Sequence, residues 1–164
     1  MRLKEIIQND DITIVPFRWY HPRSMRLRDF ELKSYVDVPN YETQLRYYEA
    51  AQHSHTALLR GEMVASFGVH EVWPGVGEGW LITSHQVAHY PITLTRMTRR
   101  YLDIAARELQ LHRLQITCNV NNQLAVRWAS RLKFDREGLL RRYGPDGSDY
   151  IMFSRIFDEQ PFQS

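Results

Sequence analysis

The chain has 164 residues, 43% of them apolar and 12% aromatic, and a formal net charge of +2. That length and apolar share suit one packed core burying about 68–70% of the unfolded surface, and they exclude a disordered chain. The small charge argues against nucleic acid as a main partner, the single Cys118 excludes an internal disulfide, and no apolar run approaches the ~18 residues of a membrane span. Met1-Arg2-Leu3-Lys4-Glu5 lacks the apolar stretch of a signal peptide, so a reducing, intracellular location is expected.

Residues 12–18 alternate and predict a first strand, with Pro16 restricting it to an edge or marking its end. Trp19-Tyr20-His21-Pro22 reads as a turn. Met25, Leu27, Phe30 and Leu32 give a loose helical spacing over 24–34. Asn40 reads as the cap of a second helix over 41–53, carried by Tyr41, Leu45, Tyr48 and Ala51. Strands over 56–60 and 63–69 follow, joined by Gly61-Glu62 as a tight hairpin. Residues 74–79, with Gly75, Gly77 and Gly79, read as a flexible hairpin tip. They do not read as a phosphate cradle, because neither Gly-Lys-Ser/Thr nor a helix follows. A fourth strand is expected over 80–83.

Residues 91–111 carry the strongest helical pattern. Met97, Tyr101, Ile104 and Ala105 share one face, and Arg96, Arg99, Arg100, Asp103 and Arg107 fill the rest. Pro91 suits the first turn, where a missing N–H costs nothing. In the stretch 113–119, Leu114, Ile116 and Cys118 alternate with Gln115, Thr117 and Asn119, a strand signal. Asn119, Asn121 and Asn122 then supply candidate caps for a helix whose face is Leu124, Ala125, Trp128 and Leu132. The C-terminal part reads as a hairpin of 139–143 and 150–154 around Gly144-Pro145-Asp146-Gly147. The element order is β-α-α-β-β-β-α-β-α-β-β, expected as one domain over 1–157 with a frayed tail over 158–164.

The ordered run of strand, Asn122, Ala125, helix and Phe134, followed by Glu137-Gly138-Leu139-Leu140-Arg141, resembles the C-terminal half of the GNAT acyltransferase superfamily. The likeness covers roughly residues 55–157. It implies an α/β fold, a mixed, twisted sheet of about seven strands flanked by about four helices. The run Gly79-Trp80-Leu81-Ile82-Thr83-Ser84-His85-Gln86-Val87, with Val120 and Asn122 after it, is similar to small acetyltransferase-like proteins of short-tailed bacteriophages, some of them internal virion proteins. That narrower likeness implies a place in the infected host's cytoplasm or inside the virion.

The resemblance implies acetyl-CoA as acyl donor and an amine as acceptor. It lays the pantetheine arm along the fourth strand, with backbone contacts at Ile82 and Ser84. It lays the pyrophosphate on the following loop, residues 85–90, at Val87, Ala88 and His89, and on the next helix. Asn121 or Asn122 takes the place of an asparagine that often bonds the donor, though helix capping alone would explain either. The loop holds no glycine, so the family's Gln/Arg-x-x-Gly-x-Gly/Ala pattern is absent. Arg96, Arg99 and Arg100 stand where they could pair phosphates, or they form a solvated helix face. The tyrosine that many members use to protonate the leaving thiolate falls at Ala129.

An amine nucleophile needs a base. Glu78, just before the fourth strand, is the candidate, with His70, Glu71 and His85 behind it. Cys118 lies on an apolar strand face and reads as core. His53 and His55 have no second pair at ligand spacing, so no metal site is expected. Two functions stay open. One is an acyl-CoA-dependent N-acyltransferase. The other is a silent scaffold that binds a host or virion protein, with Trp19, Tyr20, Tyr47, Tyr48 and Trp73 as candidate contact residues. Nucleic-acid binding at Arg23, Arg26, Arg28 and Arg141-Arg142 is the poorest reading, because acidic residues interrupt these clusters.

Overall fold

A computed structural model describes residues 11–158. Beyond Asp158, the expected tail lies outside the described residues. Among the described residues seven strands form one sheet in the order β1-β2-β3-β4-β5-β7-β6. These are β1 Ile12–Pro16, β2 His53–Leu59, β3 Glu62–Trp73, β4 Val76–Thr83, β5 Arg113–Asn119, β6 Asp135–Leu140 and β7 Tyr150–Ile156. Every pairing is antiparallel except β4 with β5. Four α-helices among the described residues accompany it: α1 Asp29–Asp37, α2 Tyr41–Ala50, α3 Pro91–Glu108 and α4 Gln123–Arg131. The mixed α/β architecture expected from sequence is the one observed.

Each face of the sheet has its own core. Tyr101, Leu102, Ala105 and Ala106 of α3 and Ala129 of α4 pack with Val69, Leu114, Cys118, Ile151 and Phe153 of the sheet. On the opposite face Phe17, Met25, Leu27, Leu45 and Ile82 cluster beneath Tyr35, Tyr41 and Tyr48 of α1 and α2. The two helix pairs therefore sandwich the sheet.

Several boundaries move. β1 stops at Pro16 and lies on the edge, as a missing N–H requires. The first helix starts at Asp29, not near 24. Met25 and Leu27 are buried as extended chain, and Leu27 bridges Ser84 beside β4. Asn40 precedes α2 but caps nothing with its side chain; its backbone is left-handed, φ 55°. The β2–β3 turn is centred on Arg60 and Gly61, φ 48° and 83°, one residue earlier than expected. Two consecutive positive φ values match the twist of a two-residue hairpin. The glycine-rich stretch is mostly strand, since Gly77 and Gly79 lie within β4. A Cβ at Gly77 would stand 2.6 Å from Leu111 Cδ1 and 2.9 Å from Val69 Cγ1. Close packing, not flexibility, selects glycine there.

Candidate functional site

β4 and β5 share three rungs: Val76 with Arg113, Gly77 with Leu114 and Glu78 with Gln115. Beyond Glu78 the strands part, although β4 continues to Thr83 and β5 to Asn119. Two unpaired strand edges then face a gap. Ile116 Cγ2 stands where a Cβ on Gly79 would come within 3.0 Å, at the point of divergence.

Which backbone groups line the gap follows from the β3–β4 ladder. The Ser84 N–H donates to the Val64 carbonyl at 2.9 Å. Groups in an antiparallel strand alternate edges, so Ile82, two residues back and paired with Ser66, also turns to β3. The gap edge belongs to Gly79, Leu81 and Thr83. Thr83 is already engaged: its N–H donates to Glu31 Oε1 at 3.4 Å and its carbonyl accepts from the Arg28 N–H. The backbone groups open to the gap are therefore those of Gly79 and Leu81, whereas the expected Ile82 and Ser84 turn to β3.

Glu78 sits at the apex of this fork. Gln115 Nε2 donates to Glu78 Oε2 at 2.8 Å. Arg113 Nε donates to Gln115 Oε1 at 3.0 Å, and the Arg113 guanidinium grips Glu137 with two bonds of 2.8 and 2.9 Å. Ser154 Oγ donates to the same Glu137 carboxylate at 2.5 Å. Arg113 first, then Ser154, holds the Glu137 carboxyl down at about 2. The chain of contacts crosses β4, β5, β6 and β7 and fixes where the Glu78 carboxylate points.

Aromatic rings wall the helix side of the fork. Tyr48 stacks on Trp80 at 4.4 Å and 6°, and Tyr47 meets His70 edge-on at 5.4 Å. Burial keeps His70 below its usual range, and nearby Glu78 only partly offsets that. Burial thus disfavours the charged form of His70 even beside the carboxylate. Burial raises the Tyr48 hydroxyl to about 12. A groove of about 270 Å³ opens between Tyr47, Gln52, His70 and Glu71.

The loop after β4 departs from a phosphate cradle. Residues His85–His89 form a 3-10 turn whose amides are taken. The His85 N–H donates to the Arg26 carbonyl, Gln86 to Ser84 Oγ, Val87 to the Ser84 carbonyl, and Tyr90 to the Val87 carbonyl. Val87, Ala88 and His89 therefore surround no open nest of N–H groups, and Pro91 removes one more donor from the start of α3. The open edge of β4 offers the backbone groups of Gly79 and Leu81 to an extended chain. The loop, as folded, does not fit a diphosphate.

α3 and α4 run side by side. Trp128 Nε1 donates to Thr95 Oγ1 at 3.0 Å, and one turn further the Arg99 guanidinium donates to the Arg131 carbonyl. Arg99 thus caps the end of α4, a cation on a negative helix terminus, and is not a phosphate ligand in waiting. Arg96 and Arg100 are exposed, without a side-chain partner among the described residues. Asn122 is the cap of α4, accepting from the Ala125 N–H at 3.3 Å. Asn119 Oδ1 accepts the Asn121 N–H, which leaves the exposed Asn121 side chain at the fork's open end. Ala129 is 1% exposed in the core, so no proton donor reaches the fork from that position. Burial pushes the Cys118 thiol up to about 11, in keeping with a core residue. Among the described residues no three His, Cys, Asp or Glu side chains gather as metal ligands.

Of the expected contact aromatics, Tyr20, Tyr47 and Trp73 are exposed, whereas Tyr48 packs on Trp80 and Trp19 lies against Arg23 and Arg46. Sequence reasoning missed Gln115 and Arg113. Their place on the polar face of β5 was legible, but the register that sets them beside Glu78 and Glu137 was not.

No protein-family profile and no curated protein sequence matches this chain. Solved structures do. A GNAT-family acetyltransferase from Bacillus anthracis superposes with a TM-score of 0.71 at 16% identity, over 93% of this chain and 99% of that one. Ard1 from Thermoplasma volcanium gives 0.71 at 14% identity, over 91% and 99%. RimL, the ribosomal L7/L12 alpha-N-protein acetyltransferase, in complex with coenzyme A, gives 0.68 at 18% identity, over 93% and 98%. The chain has the fold of the GNAT acetyltransferases.

Proposed function

We propose that this protein transfers an acyl group from a pantetheine thioester to an amine. The observation that carries the reading is the parting of β4 and β5 directly after Glu78, which leaves an open strand edge with a held carboxylate at its apex. The coenzyme A named with RimL supports a thioester donor of this class. An extended arm pairs with Gly79 and Leu81 as an added strand. The amine enters from the side of Tyr47, His70 and Trp80. Its nitrogen attacks the thioester carbonyl, the C–N bond forms and the C–S bond breaks. One amine proton passes to Glu78, and the departing thiolate takes its proton from water, since Ala129 offers none.

The test is acetyl transfer from acetyl-CoA and from S-acetyl-pantetheine to a panel of amines and peptides, followed by mass spectrometry. Transfer that Glu78→Gln abolishes supports the reading. Transfer that survives Glu78→Gln removes that residue as base.

A second reading keeps the scaffold and drops the chemistry: a module binding a host or virion protein, in an infected cell's cytoplasm or inside a virion. The consumed amides at 85–90 and the buried Ala129 favour it, and so does the phage likeness. Absence of transfer from both donors, with capture of a single partner from infected-cell lysate, would select it.

A further inference from the structure

The mouth of the fork is apolar and ringed by arginines. Ile92 in the first turn of α3 is 69% exposed, Leu124 in the first turn of α4 is 55% exposed and Tyr90, just before α3, is 43% exposed. The contacts of Thr95 with Trp128 and of Arg99 with Arg131 align the two helices in parallel, so both N-termini open at this end. Arg96 lies one turn along from Ile92, and Arg127 one turn along from Leu124. Arg26 and Arg28 flank Leu27, which bridges Ser84 at the end of β4. Against these cations stand Asp29, Glu31 bonded to Thr83, and Glu62 bonded to Gln86.

A free nucleotide end suits this mouth poorly. The loop amides that would hold a diphosphate are taken, and Ile92 and Leu124 would stay in water beside it. A protein would cover them. Resting on the acyltransferase reading, we infer that the donor is delivered by a small acidic carrier protein. Its phosphopantetheine arm enters the gap between β4 and β5 while its own surface seats on Tyr90, Ile92 and Leu124. The arm carries one phosphodiester, so no diphosphate site is needed. The arginines match the carrier's carboxylates, which steers encounter and makes it salt-sensitive. The bonds exchanged are those already given, with the thiol left on the carrier's arm.

The experiment compares three acetyl donors on the full chain: a purified type II acyl carrier protein loaded through its phosphopantetheine arm, acetyl-CoA, and S-acetyl-pantetheine. The loaded carrier is expected to give a kcat/KM at least about tenfold above acetyl-CoA. That advantage should shrink as salt rises. Ile92→Asp and Arg127→Glu, both at exposed positions, are expected to slow the carrier reaction about tenfold more than the pantetheine reaction. Acetyl-CoA matching the loaded carrier, or the two variants acting equally on all donors, overturns the inference while leaving the acyltransferase reading in place. Transfer from none of the three overturns both.

Discussion

Gly68 offers a sharp test of how the site is packed. It lies on β3 opposite Trp80, the ring that stacks on Tyr48 beside the fork. A Cβ at this position would stand 2.7 Å from Trp80 Nε1 and 2.9 Å from Cε2, and closer still to the His53 carbonyl oxygen. Comfortable carbon contacts begin near ~3.5 Å, so Gly68→Ala must displace both a ring and a paired backbone by several tenths of an ångström. Overpacking of this kind costs about 1–3 kcal/mol, and the carbonyl puts Gly68→Ala at the upper end. At roughly 2–4 °C per kcal/mol for a domain of this size, Tm should fall by about 5–10 °C. Gly138→Ala is the control, because nothing lies within 4 Å of its Cβ and its φ is not positive. Differential scanning calorimetry on both variants, with near-ultraviolet circular dichroism for the Trp80–Tyr48 stack, measures the effect. If Gly68→Ala melts within a degree of the parent chain, β3 and β4 are not packed as described and the account of the fork's helix side fails.

Glu78→Gln should reduce amine acylation by about 10²–10⁴-fold with Tm held, read by steady-state kinetics; a smaller loss would mean that another group takes the proton. Arg99→Ala should cost about 0.3–1 kcal/mol of stability through the lost cap on α4, measured by urea titration; weakened donor binding at constant stability would return Arg99 to the site. Stability should fall between pH 7 and 5. Burial holds His55 at about 4 and lowers His53 and His70 as well, so in the fold these rings resist protonation while the unfolded chain takes up protons below about pH 6.5. The loss therefore grows as pH drops from about 6.5 toward 4. His55 alone accounts for about 2 kcal/mol at pH 5, and a flat profile from pH 7 to 5 would contradict the burial of these rings. Cys118 should resist a disulfide-exchange reagent in the native protein and react once denatured, because burial lifts its thiol to about 11.

The stretch from Arg113 to Phe134 was legible because its signals agree. Alternation, an asparagine cap and a helical period all fall in register, and β5 and α4 appear where they point. α1 was misplaced because Met25 and Leu27 are apolar for a tertiary reason: they cover the α1–α2 core as extended chain. Gly77 and Gly79 were misread because a glycine forced by a neighbour's methyl looks the same in sequence as one that frees a turn. At the site, Glu78 could be placed near the start of a strand. The edge to which Ile82 and Ser84 turn depends on which ladder they join, and one-dimensional alternation does not carry that. The loss of the loop amides follows from a 3-10 turn capped by Ser84 and anchored by bonds from Ser84 to Val64 and from His85 to Arg26, both far away along the chain.

The three-rung contact between β4 and β5 has a mechanical consequence. It divides the sheet into two blocks, β1 to β4 and β5 to β6, sewn together by the shortest seam among the described strands. Shear or twist between the blocks concentrates there, since every other junction carries at least five paired residues. α3 crosses from one block to the other as a strap, and its bonds to α4 limit how far the seam can gape. An extended guest lying between Leu81 and β5 would lengthen the stitching. Occupancy would then register first as stiffening across the seam, with slower amide exchange on the two inner strands, before any chemistry takes place.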